Sequence, residues 1–250
     1  MTIFKSLRVR VSQGTQFIAD LRSAQPLGLR GRPRIADGAC ATGCDACVAS
    51  CPTGAMRLAP LSIDLGRCIF CSECVLACPE AKIELTPDPR MGGADRAALV
   101  VTAGAEERTQ IRANESFRKL FRRSLKLRQV SAGGCNGCEL ELNATANVNF
   151  DLQRYGIEWV ASPRHADALV LSGPLTRTMK DAVHLAWEAM PEPRFVVAVG
   201  ACAISGGLYD GARGVERSFL DEVIPALYVP GCPPHPLTFV NAILDLLGVA

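Results

Sequence analysis

Eight of the twelve cysteines in this 250-residue chain fall in two compact runs that repeat each other, and no other feature restricts its folding as strongly. Ile35-Ala-Asp-Gly-Ala leads into Cys40-x3-Cys44-x2-Cys47-x3-Cys51-Pro52, and Ile63-Asp-Leu-Gly-Arg leads into Cys68-x2-Cys71-x2-Cys74-x3-Cys78-Pro79. The last three cysteines of each run recur at an offset of 27 residues, as do the tails CPTGAMRL and CPEAKIEL. Such self-similarity marks a duplicated supersecondary unit. Each half reads as a short strand, a cysteine loop, a one-turn helix and a second short strand.

Cysteines at this density suit a disulfide scaffold in an exported protein and metal binding in a reducing compartment. The opening MTIFKSLRVRVSQGTQ has no apolar h-region and no cleavage site, so no export signal is expected. No run approaches the ~18 apolar residues of a spanning helix. A reducing cytoplasm and metal-bound thiols are the expectation. C-x2-C pairs also build zinc sites, but those draw on two separated pairs, whereas each run here packs four cysteines ahead of a proline. A tight C-x2-C-x2-C loop delivers three converging thiolates to a [4Fe–4S] cube and leaves the fourth to come from elsewhere.

Residues 35–86 therefore resemble a two-cluster bacterial ferredoxin domain. In that family the cysteine before proline ligates the other cluster of the pair. The resemblance implies one cluster on Cys40, Cys44, Cys47 and Cys78 and a twin on Cys68, Cys71, Cys74 and Cys51. One departure is the three-residue spacer Ala41-Thr42-Gly43 where the simplest pattern has two. Gly43 can adopt the backbone angle that absorbs the extra residue.

Residues 87–115 carry Pro87, Pro89, Gly92 and Gly93 and read as a connector with one strand at 97–102. A short basic amphipathic helix is expected at 117–123, with Phe117, Leu120 and Phe121 on one face. Beyond it, apolar strand runs at 125–130, 158–161, 168–172, 195–199 and 227–230 alternate with helical stretches at 139–147, 177–190 and 236–247. That alternation predicts a parallel sheet covered on both faces, with ligands gathering beyond its C-terminal strand ends. The remaining cysteines, Cys135, Cys138, Cys202 and Cys232, each fall just past a strand, so three distant loops can meet around a third cube. A helix starting near Cys138 would aim its N–H groups at that anionic group. The plainer alternative is that Cys202 and Cys232 are buried thiols like many others.

GGCNGCELE at 133–141, VAVGAC at 197–202 and PGCPPHP at 230–236 together resemble the small subunit of [NiFe] hydrogenases and the homologous cluster-bearing subunit of respiratory complex I, over about residues 117–248. The complex I subunit has adjacent cysteines at the first motif, whereas Cys135-x2-Cys138 is the hydrogenase form. The likeness therefore points to the membrane-associated, energy-converting hydrogenases, formate hydrogenlyase among them, with a polyferredoxin module fused in front. It implies an N-terminal extension (1–30), a small α+β ferredoxin-like domain (31–90), a connector (91–124) and an α/β flavodoxin-like domain (125–250). It also implies three [4Fe–4S] clusters on an electron-transfer subunit without catalytic residues of its own. The Ni–Fe centre would sit on a partner large subunit. Further implied partners are membrane-arm subunits and an external donor or acceptor such as ferredoxin or a formate dehydrogenase subunit, at the cytoplasmic face of the inner membrane. No dinucleotide fingerprint occurs, so neither NAD nor flavin is expected. The competing functions are a complex I-like reductase that passes electrons to quinone or another acceptor, a soluble ferredoxin-like carrier, and a zinc-stabilised interaction module.

Charge separates the halves: 20 basic and 12 acidic residues up to position 130, against 7 and 13 beyond it, give +8 and −6 and suggest different neighbours. Arg118–Arg128 holds six Arg or Lys and no acid. Its aromatics lie on one face rather than interleaved, which favours docking to an acidic neighbour or membrane-arm subunit over nucleic acid. Arg30–Arg34 has the same ambiguity. Glu139 and Glu141 flank a cluster loop. For Glu139, coupling of a proton to electron arrival competes with a plain solvated helix face. His235 follows a Cys-Pro-Pro turn where relatives usually have arginine, and tuning of the cluster potential competes with a loop-surface histidine.

Overall fold

The computed structural model describes residues 3–104, 111 and 115–249; connector residues 105–110 and 112–114, and residues 1, 2 and 250, lie outside the described part. After helix α1 (Ile3–Gln13), the duplication takes shape as β1 (Pro33–Ile35), α2 (Ala46–Ala49) and β2 (Met56–Leu58), then β3 (Leu61–Asp64), α3 (Glu73–Ala77) and β4 (Ile83–Leu85). The halves interlock because β1 pairs antiparallel with β4 and β2 with β3. The expected strand at 97–102 shortens to β5 (Val100–Thr102) behind a 3-10 turn at Ala97–Leu99. It adds to β3, giving a three-stranded sheet ordered β2-β3-β5.

Helix α4 (Glu115–Phe121) precedes the second sheet, which comprises β6 (Leu125–Ser131), β7 (Ile157–Trp159), β8 (Ala168–Ser172), β9 (Phe195–Val199) and β10 (Leu227–Val229). All pairings are parallel, in the order β10-β9-β8-β6-β7. This is the flavodoxin-like winding, with its topological switch between β6 and β8. Every residue of β8, β9 and β10 is buried, as a sheet covered on both faces requires. Helices α5 (Gly137–Ala144), α6 (Lys180–Glu188), α7 (Gly200–Ser205), α8 (Ser218–Glu222) and α9 (Pro236–Leu247) complete the unit. In α9 only Asp245 escapes burial, so the helix is apolar nearly all round and central to the core.

The two modules share a core. Ala198, Tyr228, Ala203 and Ile204 of the α/β unit pack among Ile63, Leu65, Phe70, Met91 and Leu99. Gly93 and Tyr228 exchange both backbone hydrogen bonds, at 3.0 and 2.8 Å. Asp64, nearly buried, receives both terminal nitrogens of Arg96 at 2.6 Å.

The basic helix also has a structural role. Phe117 and Phe121 pack against Phe195, with ring centroids 4.8 and 5.6 Å away. Leu120, placed on the same face by periodicity, is 61% exposed. Arg118 donates to the carbonyls of Leu247 and Gly248. A cation there satisfies the orphan carbonyls at the C-terminus of α9 and complements its dipole.

The arm between α1 and the ferredoxin module is clasped to α9. Leu21 is fully buried, its carbonyl accepts from Asn241 Nδ2 at 2.9 Å, and Arg22 donates to Asn241 Oδ1 and pairs with Asp245. Asn241→Ala is expected to destabilise the chain by about 2 kcal/mol, because the buried Leu21 carbonyl loses its donor. Denaturant titration of the anaerobic protein measures it.

Candidate metal centres

The three loops that carry adjacent cysteines each contain a residue in the left-handed region: Gly43 (φ 74°), Ser72 (φ 73°) and Asn136 (φ 68°), with Phe70 (φ 56°) just before Cys71. A left-handed residue between two cysteines tightens the loop so that both thiols turn to the same side; asparagine and glycine tolerate it, and a serine there is strained.

The thiols group across the two runs. Cys51 lines one cavity with Cys68, Cys71 and Cys74, although it belongs to the other run. Burial, then the neighbouring Cys74, Cys51 and Cys71 thiols, push Cys68 up to about 12. Burial with Cys51 and Cys71 takes Cys74 to about 11. In the companion group, Cys47 is raised by burial and then by Cys40 and Cys78. Cys44 is half-buried in the loop between Cys40 and Cys47. The duplication extends to hydrogen bonds: Ala55 N–H donates to Cys51 Sγ at 3.2 Å and Lys82 N–H to Cys78 Sγ at 3.4 Å, at matching positions in the two halves. Phe70 N–H donates to Cys68 Sγ at 3.3 Å. Amide donors of this kind favour thiolates and tune a bound metal group.

The four remaining cysteines meet at the C-terminal edge of the parallel sheet, where Cys135, Cys138, Cys202 and Cys232 line one cavity. Cys138 sits in the first turn of α5, Cys202 in the first turn of α7, and Cys232 four residues before α9. The N-terminal turns of α5 and α7 therefore line the thiol group. Burial and the neighbouring Glu139, Cys202, Cys232 and Cys135 drive Cys138 to about 12, and burial with Cys232 and Cys135 drives Cys202 to about 11. Thiols grouped in this way offer a donor set to a cationic centre, whose charge would reverse the upward shift of Cys138 and Cys202 and favour thiolates.

Glu139 is 8% exposed rather than solvated, and its Oε1 accepts from Ser172 Oγ at 2.7 Å. Burial would raise its carboxyl, but hydrogen bonds from Ser131 and Ser172 outweigh that and hold it below the usual range. Glu141 is raised by burial. It lines a cleft between the modules with Phe70, Cys232 and His235. His235 caps α9: its Nδ1 accepts from Leu237 N–H at 3.1 Å, and the ring meets Phe150 edge-on. Burial lowers its pKa, in keeping with the neutral ring that an accepting Nδ1 requires.

Arg217 is a site residue that sequence reasoning missed. It donates to the Cys202 and Ala203 carbonyls at 2.9 and 2.8 Å and places a half-buried cation beside the third group. Nothing in its local sequence marks it, since the contact depends on α7 turning back beneath it.

Both modules have counterparts among known proteins. Residues 32–93 match the 4Fe-4S dicluster domain, and residues 135–246 match the family NADH ubiquinone oxidoreductase, 20 Kd subunit. A probable membrane-bound hydrogenase subunit of Pyrococcus furiosus is 37% identical over 127 residues, covering 50% of this chain and 75% of the relative. The chain belongs to the 20 Kd subunit family. Formate hydrogenlyase subunit 7 of Escherichia coli is 40% identical over 135 residues, 54% of this chain; the match spans about half (52%) of that relative. An NADH-quinone oxidoreductase subunit of Citrifermentans bemidjiense is 43% identical over 110 residues, covering 44% of this chain and 64% of the relative. The family resemblance read from the three cysteine motifs thus holds for the complex I-related group as a whole. Its members here include both hydrogenase subunits and a quinone reductase subunit.

Proposed function

We propose that this chain is the electron-transfer small subunit of a membrane-associated [NiFe] hydrogenase-type complex. In this reading three [4Fe–4S] clusters sit on Cys40/Cys44/Cys47/Cys78, on Cys51/Cys68/Cys71/Cys74 and on Cys135/Cys138/Cys202/Cys232. The Ni–Fe centre lies on a partner large subunit. Membrane-arm subunits and an external donor or acceptor, such as ferredoxin or a formate dehydrogenase subunit, complete the assembly at the cytoplasmic face of the inner membrane. Among the described residues no helix is long and apolar enough to cross a membrane.

One observation carries the reading: the second and third thiol groups are separated by a single short stretch of this chain. Ile69 and Phe70 line the cavity of Cys51, Cys68, Cys71 and Cys74. The same two residues also line the cleft beside Cys232 and Pro233. When bound, each cluster supplies a one-electron centre whose potential follows its hydrogen bonds and exposure. The chain's part is to hold the centres in sequence, to bury Phe70 between two of them, and to direct amide N–H groups and helix N-termini at the thiolates. The Cys135-x2-Cys138 spacing favours the hydrogenase side.

A second reading, a complex I-like reductase without nickel, is favoured by the 43% identity to a quinone reductase subunit. The large subunit separates the two: paired C-x2-C motifs near its ends mean nickel, and their absence means the alternative. For the chain itself, anaerobic preparation is expected to yield about twelve iron and about twelve acid-labile sulfide per polypeptide, four of each per cube. Zinc in their place, or colourless protein that dithionite does not bleach, rejects both redox readings.

A further inference from the structure

Helix α1 has no buried residue, and Ile3, Phe4, Leu7, Val9 and Val11 are between 52% and 83% exposed. It is nonetheless tethered: beyond Gly14, Ile18 N–H donates to the Asn149 carbonyl at 2.9 Å and Leu21 is fully buried. At helical spacing Ile3, Leu7, Val11 and Phe4 fall within one arc of about 100°, with Arg8 on one border and Arg10 on the other. Lys5, Ser6, Ser12 and Gln13 lie outside that arc, and Val9 is its one misplaced apolar residue. The helix contains three cations and no acid.

We propose that α1 is a membrane-surface anchor that lies in the plane of an anionic lipid bilayer, independently of the redox reading. The four apolar side chains enter the acyl boundary. Arg8 and Arg10 bury their stems and reach the phosphates from both sides. Charge decides the occupant: cations at both borders with no acid between them match a uniformly anionic headgroup layer. The apolar arc is short, so neither apolar burial nor charge holds the helix alone, and the two together do. An 11-residue helix with no buried residue is also marginal in water, and an interface supplies a surface for its apolar arc.

The test is flotation of the full-length, cluster-loaded chain under anaerobic conditions with phosphatidylcholine vesicles, with and without phosphatidylglycerol. The expected result is binding at least about tenfold stronger to the phosphatidylglycerol vesicles. Salt should weaken it. Leu7→Glu with Phe4→Glu should abolish it, and Arg8→Ala with Arg10→Ala should weaken it. Both side-chain pairs are solvent-exposed, and unchanged iron content confirms folding. Absence of binding to phosphatidylglycerol vesicles, or equal binding by the Leu7→Glu, Phe4→Glu variant, overturns the proposal. If that variant instead loses co-purification with partner subunits while the native chain ignores lipid, α1 docks to protein and the lipid anchor is rejected.

Discussion

Cys51→Ser is expected to remove the cluster of Cys68, Cys71 and Cys74 while sparing the cluster of Cys40, Cys44 and Cys47. Along the chain the opposite would be expected, because Cys51 closes the first run. In space its thiol lines the second cavity and acts on Cys68 and Cys74. The crossing follows from strand pairing: β2 follows Cys51 and lies against β3, which leads directly into Cys68. A serine hydroxyl at this site stays protonated where a thiol yields a thiolate ligand, so the fourth iron corner is lost. Iron should fall from about twelve to about eight per chain, given four per cube. EPR of the reduced protein should lose one of its two ferredoxin-type signals and keep the signal of the third group. Cys44→Ser should remove the other ferredoxin signal. If Cys51→Ser and Cys44→Ser erased the same signal, the crossed arrangement would be wrong.

Much of this architecture is legible in the residues because the features that build it are local. The duplicated cysteine runs announce themselves by offset, and strands such as Phe195–Val199 are apolar without interruption, as burial on both faces demands. Where sequence reasoning departs from the structure, distant partners decide. Glu139 looks like one polar residue on a short helix, yet Ser172, 33 positions away, turns it inward. Periodicity groups Leu120 with Phe117 and Phe121, but only the two aromatics reach Phe195. Helix α7 is six residues long and opens with glycine, a poor helix former. It is held by the sheet edge, Arg217 and the Gly231 carbonyl, which accepts from Ala201 N–H at 2.9 Å. His235 reads as a loop residue because its capping role depends on the helix that follows.

Helix α7 also contains the position where a single methyl group should do the most damage. Gly200 has φ 85°, and a Cβ built on it would lie 2.7 Å from Cys138 Sγ. Real Cβ atoms do not approach sulfur so closely, and of the two partners it is the Cys138 thiol, bordering a cavity, that must move. Cys138 is half-buried in the first turn of α5, while Gly200 is buried and its backbone joins β9 directly to α7. The left-handed backbone adds strain of about 1–3 kcal/mol for any residue with a side chain. Gly200→Ala should therefore push the Cys138 thiol out of the group it forms with Cys135, Cys202 and Cys232, without altering a single proposed ligand. Loss of about four iron per chain is expected, with both ferredoxin-type EPR signals intact and the signal of the third group lost. A native third-group signal in Gly200→Ala would show that the thiol does not need the space this glycine leaves, and would separate the Cys202 loop from that centre.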